Sequence, residues 1–362
     1  MHIYFIGQKG IPAATIHDSY EARTEALARE SLRNGHKVTI ATTNPYTSQS
    51  PLTLEGLESV RLPSLNPTIA GGYFYTALSC IAALFIKPDT IHVQGWKAGI
   101  MARPLALLLP QTIFIWTISA LPGGFEPLQH TLLRWILRFI TSGFDKICTP
   151  TRTVQYQLLT RYGLDTIYIP DGYAPSALPE IRPAALGLRK EQYGIVFAED
   201  ETTIKRIAKA YKASKAKKKL IIFRPKAPLG LTAINVSIFS RSAQSLIRQA
   251  GFIIAADPAY QSLLLHAMDA QRVILATPSP LHQELLGSTA TYITLQDTDM
   301  LEKTLYKAAG APKTRPEASV RATKHFSWEK SAQEYMRAYR QASPVLVPFD
   351  SIISKQGFKI AA

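Results

Sequence analysis

A chain of 362 residues, 46% hydrophobic and 19% charged, has the balance of a folded protein and the length of two domains, each large enough to bury a core. Its two cysteines, Cys80 and Cys148, lie far apart with no CxxC pairing, which excludes a disulfide framework and a zinc site of that kind and fits a reducing cytoplasm. The formal net charge of +15 directs attention to anionic partners: phospholipid headgroups, nucleotide sugars or nucleic acid.

The chain opens on the apolar run Ile3–Ile6, without a basic segment or cleavage motif ahead of it, so no secretory signal is expected. Glu21–Asn34 reads as a helix with Ala22, Leu27, Ala28 and Leu32 turned inward and Gly35 ending it. Val38–Ala41 is the next strand. Tyr73–Ile86 is apolar but shorter than the roughly 20 residues that span a bilayer, and is expected to be a buried helix. Further strands are expected at Thr90–Val93, Thr112–Thr117, Lys146–Thr149 and Thr166–Ile169. Between them, Glu126–Phe144 mixes Leu128, Leu132, Trp135, Ile136 and Phe139 with Arg134 and Arg138. That composition suits either an anionic membrane surface or a packed helix.

Short apolar strands separated by helix-length segments imply a parallel sheet covered on both faces. The first such domain ends near Pro170-Asp171-Gly172-Tyr173, and the proline- and alanine-rich Ala174–Leu186 reads as a linker. The pattern then repeats. Strands are expected at Gly194–Phe197, Leu220–Phe223, Phe252–Ala255, Arg272–Ala276 and Thr291–Thr294; helices are expected at Glu201–Lys215, Ala243–Gln249, Ala259–Asp269 and Thr298–Ala309.

Two end segments carry a family resemblance. Phe326-Ser327-Trp328-Glu329-Lys330, continuing through Tyr335 and Tyr339, closely resembles the last helix of family 4 glycosyltransferases. The opening Phe5-Ile6-Gly7-Gln8-Lys9-Gly10-Ile11-Pro12-Ala13 and the later Gly35-His36-Lys37-Val38-Thr39-Ile40 resemble the same family. The resemblance implies an α/β fold of the GT-B type, two Rossmann-like doubly wound domains facing across a cleft. It implies an acceptor domain at 1–173, a donor domain at 174–325, a helix at 326–342 crossing back to the first domain, and a tail at 343–362 without counterpart.

The resemblance also assigns candidate residues. Gly7, Gln8, Lys9 and Gly10 form a loop where missing Cβ atoms let backbone approach a ligand, with Lys9 suited to phosphate or carboxylate; a structural turn is an equal reading. Glu21 matches a glutamate that the family places before its first helix, though the family's two glycines are replaced by Ile16-His17-Asp18-Ser19-Tyr20, in which Asp18 or Ser19 would also cap the helix. Ser119, after Phe114–Ile118, stands where the family has a histidine near the transferred sugar. Gln94 and Trp96 end another strand, an amide for hydroxyls and an indole for stacking, or a packed tryptophan.

In the donor half the family's diphosphate-binding Arg and Lys are replaced by Phe197-Ala198-Glu199-Asp200-Glu201-Thr202-Thr203. A departing diphosphate needs positive charge beside it, so compensating cations are sought in Lys205, Arg206, Arg224 and Lys226, which equally suit a solvated basic face. Leu264-Leu265-His266-Ala267-Met268 aligns with the family's Leu-Leu-Glu-Ala-Met, placing Pro258 and His266 at its two glutamates; His266 reads as a donor ligand or a core histidine. Glu284 is retained where the family has Pro-Glu. Asp297-Thr298-Asp299 reads as a helix cap rather than a metal motif, and no metal or cofactor is expected.

Two functions stay open. One is a retaining glycosyltransferase acting on a glycan or lipid-linked acceptor, with a nucleotide sugar as substrate and Ser119 and Glu21 as catalytic candidates. In it, His266, Glu284, Arg224 and Lys205 hold the donor, while Gly7, Gln8, Lys9, Gly10, Gln94 and Trp96 meet the acceptor. The other is an inactive relative that binds a glycan, a membrane or a partner. The expected setting is cytoplasmic, at the inner face of the membrane if lipid is the acceptor. No nucleic-acid module is present, and donor, acceptor and oligomeric state are not legible.

Overall fold

The computed structural model describes residues 1–11, 19–43, 54–63, 69–120, 130–173, 182–238, 240–310 and 314–342. They form two compact units, one built on Tyr20–Pro170 with the first strand and most of the last helix, the other on Asp171–Lys330. The capping residue Asp18, most of the linker (174–181), residues 126–129 and the tail from 343 lie outside the described residues.

In the first unit β1 (His2–Ile6) leads to α1 (Ser19–Arg33), β2 (Lys37–Thr43) and β3 (Leu57–Leu62). Then come α2 (Ile69–Ile86), β4 (Thr90–Gln94), α3 (Trp96–Leu108), β5 (Ile113–Thr117) and α4 (His130–Thr141). β6 (Lys146–Thr149), α5 (Arg152–Gln157) with a π-helical turn at Leu158–Tyr162, and β7 (Ile167–Tyr168) complete it. All strand pairings are parallel, in the order β3-β2-β1-β4-β5-β6-β7.

The inner strands are buried nearly end to end, as a sheet covered on both faces requires. The edge strand β3 was not expected from the sequence. Its exposed Glu58 and Arg61 hide the apolar signal, and such charges discourage edge-to-edge pairing.

One sheet face is covered by α2, α3 and α4, sharing a core of Tyr4, Ile6, Val93, Trp116, Leu137 and Phe144. The opposite face packs against α1 and the last helix of the chain through Phe5, Leu27, Ile40, Tyr335 and Tyr339. The expectation that Tyr73–Ile86 is buried is corrected. Phe85 is 83% exposed, and Ile81 and Phe74 are also exposed, because this helix is apolar on both sides and only one side can face the sheet.

The second unit has a short 3-10 turn at Pro183–Leu186, then β8 (Tyr193–Phe197), α6 (Glu201–Ala213), β9 (Lys219–Ile222) and β10 (Thr232–Ala233). α7 (Arg241–Gln249), β11 (Phe252–Ala255), α8 (Gln261–Asp269), β12 (Val273–Ala276) and α9 (Pro280–Leu286) follow. β13 (Thr291–Tyr292), α10 (Thr298–Gly310) and α11 (Pro316–His325) close the series, and α12 (Trp328–Gln341) follows, its residues from Ser331 belonging to the first unit. This sheet is also wholly parallel, ordered β10-β9-β8-β11-β12-β13. Asp297 Oδ1 accepts from the Met300 amide at 2.9 Å, so the DxD-like segment caps α10.

Candidate functional site

In an open parallel sheet the place for a ligand is the crevice beyond the carboxyl ends of the strands where the strand order reverses. Each unit has one such switch point, between β1 and β4 in the first and between β8 and β11 in the second.

At the first switch point the loop after β1 passes directly over the end of β4. Gly7 has φ +107°, and a Cβ there would sit 2.1 Å from the Gln94 carbonyl oxygen, so only glycine fits. The Gln8 side chain is fully buried and donates to the Phe5 and Ala41 carbonyls at 3.0 and 3.1 Å; Tyr75 donates to the Gln8 carbonyl at 2.9 Å. The Lys9 amide donates to Glu21 Oε1 at 2.8 Å, while the Lys9 side chain is exposed. Glu21 is thus a buried carboxylate that fastens the loop to the start of α1.

The structure gathers the first-domain candidates at this point and adds one that the sequence reading missed. Arg23 is fully buried beneath the ends of β4 and β5, donating from one guanidinium nitrogen to Gln94 Oε1 at 3.0 Å and from another to Ser119 Oγ at 3.2 Å. Gln94 in turn donates to the Thr24 hydroxyl and is itself buried, so its amide is committed inward. Ser119 remains half-exposed. Trp96 packs on Trp116 with ring centroids 5.4 Å apart, and Trp116 donates to the Gly95 carbonyl at 3.0 Å.

The inward face of α1 runs through Arg23, Thr24, Leu27, Ala28 and Ser31; the expected Leu27 and Ala28 are buried, the expected Leu32 packs at the margin of the core, and Ala22 is only partly buried. Stepping back four residues from Leu27 and Ala28 would have found Arg23 and Thr24; the charge of arginine argued against it.

Below this layer lies a second polar tier. His92 shares hydrogen bonds with Tyr339 Oη at 2.6 Å and Thr117 Oγ1 at 2.8 Å, and Thr117 with Tyr335 Oη at 3.1 Å. Burial, reinforced by the Arg23 charge, holds the His92 imidazole well below its ordinary range, so it is neutral. The last helix therefore plugs the first domain with two tyrosines that satisfy the groups under the switch point.

At the second switch point the chemistry is acidic. Tyr260 donates to Glu199 Oε1 at 3.3 Å, and burial, followed by the charges of Glu199 and Asp257, raises its phenol above the ordinary range. Asp200 caps α6, accepting from the Thr203 amide at 2.7 Å. Its carboxylate occupies the end of the helix that would otherwise attract an anion.

The positive groups lie one strand further out. Arg224 pairs with Glu201 at 2.8 Å and Lys205 approaches the same carboxylate at 3.9 Å. With Lys226, Pro225, Ala227 and Pro228 they line an open groove of about 500 Å³ at the end of β9. Arg206 is exposed on α6. The structure thus brings two predicted donor residues, Lys205 and Arg224, together and sets them apart from the other two. His266 is only 4% exposed within α8, its ring edge-on to Tyr173 at 6.0 Å. Burial, with a smaller contribution from Arg248, lowers its pKa to about 4. Glu284 lies on α9, where its carbonyl accepts from Arg321 at 2.6 Å.

Residues 20–172 match the family model of the glycosyl transferase 4-like domain. No curated protein sequence matches the chain at a significant level. Among solved structures, a glycosyltransferase from Rickettsia africae ESF-5 superimposes with a TM-score of 0.64 at 13% identity, covering 94% of this chain and 98% of that one. The E. coli trehalose-6-phosphate enzyme bound with UDP-2-fluoro glucose gives 0.69 at 12% identity, with 95% and 100% covered. The spinosyn forosaminyltransferase SpnP gives 0.55 at 13%, with 94% and 99% covered. Residues 20–172 are thus similar to a glycosyl transferase 4-like domain, and with its two parallel sheets the chain has the fold of the GT-B glycosyltransferases.

Proposed function

We propose that the chain transfers a sugar from a nucleotide-sugar donor to a hydroxyl of a glycan or lipid-linked acceptor in the cytoplasm, with retention of anomeric configuration. The observation that carries this reading is the basic groove of Arg224, Lys205 and Lys226 in the second domain. A diphosphate needs two or more cations to hold it as it leaves. In this reading it is held at the end of β9 rather than at the acidic end of β8. Arg224 exchanges its Glu201 partner for a phosphate oxygen, and Ser119 and Lys9 meet the acceptor in the first domain.

Titration calorimetry with UDP, GDP and their sugar conjugates tests it. Saturable binding that Arg224→Gln with Lys226→Gln weakens about tenfold or more is expected. The anomeric proton coupling of the product then reads retention.

A second reading, a non-catalytic binding protein, is favoured by Glu199 and Asp257 flanking Tyr260 where a phosphate would otherwise sit. Folded protein that binds none of these nucleotides at millimolar concentration would select it.

A further inference from the structure

The outer face of the first domain combines exposed apolar side chains with one sign of charge. On α2, Phe74, Leu78, Ile81 and Phe85 recur at i, i+4, i+7 and i+11, which sets them in one stripe. Phe85 is 83% exposed and Ile81 50%, on the side away from the sheet. The neighbouring α3 ends in Leu107 and Leu108, 62% and 64% exposed, and α4 adds the exposed Phe139, held over Arg103 at 5.0 Å. These helices share one core and one sheet face, so their exposed sides form a continuous surface. Isolated exposed leucines are ordinary on soluble proteins; a stripe ending in a nearly bare phenylalanine is not.

Charge decides what covers it. The three helices contain Lys97, Arg103, Arg134 and Arg138 and no aspartate or glutamate, and the exposed Lys87 follows α2. Two acids lie near this edge and both are engaged: Asp89 by the chain's amino terminus at 4.0 Å and the His2 amide at 2.6 Å, and Asp145 by the Phe114 amide at 2.7 Å. Two copies meeting through this face would oppose like charges, which disfavours a self-dimer. Aromatic and aliphatic groups flanked by the exposed Lys87 and Arg138 match the boundary between anionic headgroups and acyl chains. Topology agrees. Each helix runs into the strand that follows it, so Phe85, Leu107, Leu108 and Phe139 gather at the amino-terminal edge of the sheet. The switch-point crevice lies at the opposite edge and stays open.

We propose that the α2–α3–α4 face docks the protein on anionic phospholipid bilayers. This does not rest on the transfer reading, and its test needs no substrate. Cosedimentation is measured with vesicles of phosphatidylcholine alone and of phosphatidylcholine mixed equally with phosphatidylglycerol. The full chain is expected to bind the mixed vesicles, more weakly as salt rises. Phe85→Ser with Leu108→Ser is expected to lower the partition coefficient about tenfold or more, since two exposed apolar side chains no longer leave water. Lys87→Gln and Arg138→Gln are expected to lower binding to the mixed vesicles about fivefold each and leave binding to phosphatidylcholine unchanged. All four side chains lie outside the core, and circular dichroism verifies that the variants fold.

Absence of binding to either vesicle overturns the proposal, as does binding that the Phe85 and Leu108 changes leave intact. A dimer in sedimentation velocity that Phe85→Ser abolishes, with no vesicle binding, also overturns it and assigns the face to self-association.

Discussion

His266 separates a buried structural histidine from a donor-binding one by its response to pH. The imidazole is 4% exposed, and burial lowers its pKa from 6.5 to about 4. Between those values the unfolded chain holds a proton that the folded chain does not, so the unfolded state gains as pH falls. Stability from this group is complete above about pH 6.5 and is lost as pH drops toward 4. The loss at pH 5 is about 2 kcal/mol, reaching about 3 kcal/mol below pH 4. His266→Gln, neutral at every pH, removes that slope. Two domains need not unfold together, so the readout is hydrogen exchange of peptides from α8 and β12, with peptides from β4 as the internal reference. His92 makes the first domain acid-sensitive on its own account, which is why the domains are followed separately. The expected result is that the wild type loses about 2 kcal/mol more than the variant between pH 7.5 and 5 in the second domain only. A wild-type and variant difference that is the same at both pH values refutes the reasoning. So does a His266 imidazole NMR resonance, assigned by its loss in His266→Gln, titrating near 6.5 in the folded protein.

Gly7→Ala is expected to cost at least about 2 kcal/mol in denaturant unfolding of the first domain, from positive φ and a collision with the Gln94 carbonyl. Gly187→Ala, also at positive φ but with nothing within 4 Å of the added Cβ, is expected to cost only about 1 kcal/mol. Arg23→Met removes charged donors from Gln94 and Ser119 and is expected to cost about 3 kcal/mol in the same assay. Arg23→Lys is not expected to restore it, because a single ammonium lacks the planar fork that reaches both acceptors.

The alternation of apolar runs and helix-length segments was enough to read both parallel sheets, since buried parallel strands are apolar at every position. What escaped were the places where tertiary contact overrides local pattern. β3 carries charge because it is an edge strand. The exposed side of α2 is invisible in a helix whose two sides are equally apolar. The resemblance made His266 a candidate, yet the packing of α8 decides that its ring is enclosed. Lys205 and Arg224 are separated in sequence and meet because α6 begins, and β9 ends, at the same edge of the sheet.

The C-terminal segment that carries the family resemblance also braces the floor of the first switch point. Tyr335 and Tyr339 recur at i and i+4 on α12, so both hydroxyls reach the same sheet face. There they meet Thr117 and His92, each two residues before a switch-point residue, Ser119 and Gln94. In a strand, positions two apart share a face, so the tyrosines and Arg23 act on consecutive tiers of one polar seam. Losing a tyrosine hydroxyl leaves a buried partner unsatisfied directly beneath the groups that Arg23 holds. Constraint on the last helix and constraint on the crevice are therefore coupled through this seam. Tyr339→Phe is expected to destabilise the first domain by about 1 kcal/mol and to couple with Arg23→Met in a double-mutant cycle. Strict additivity of the two changes would show that the tiers are independent.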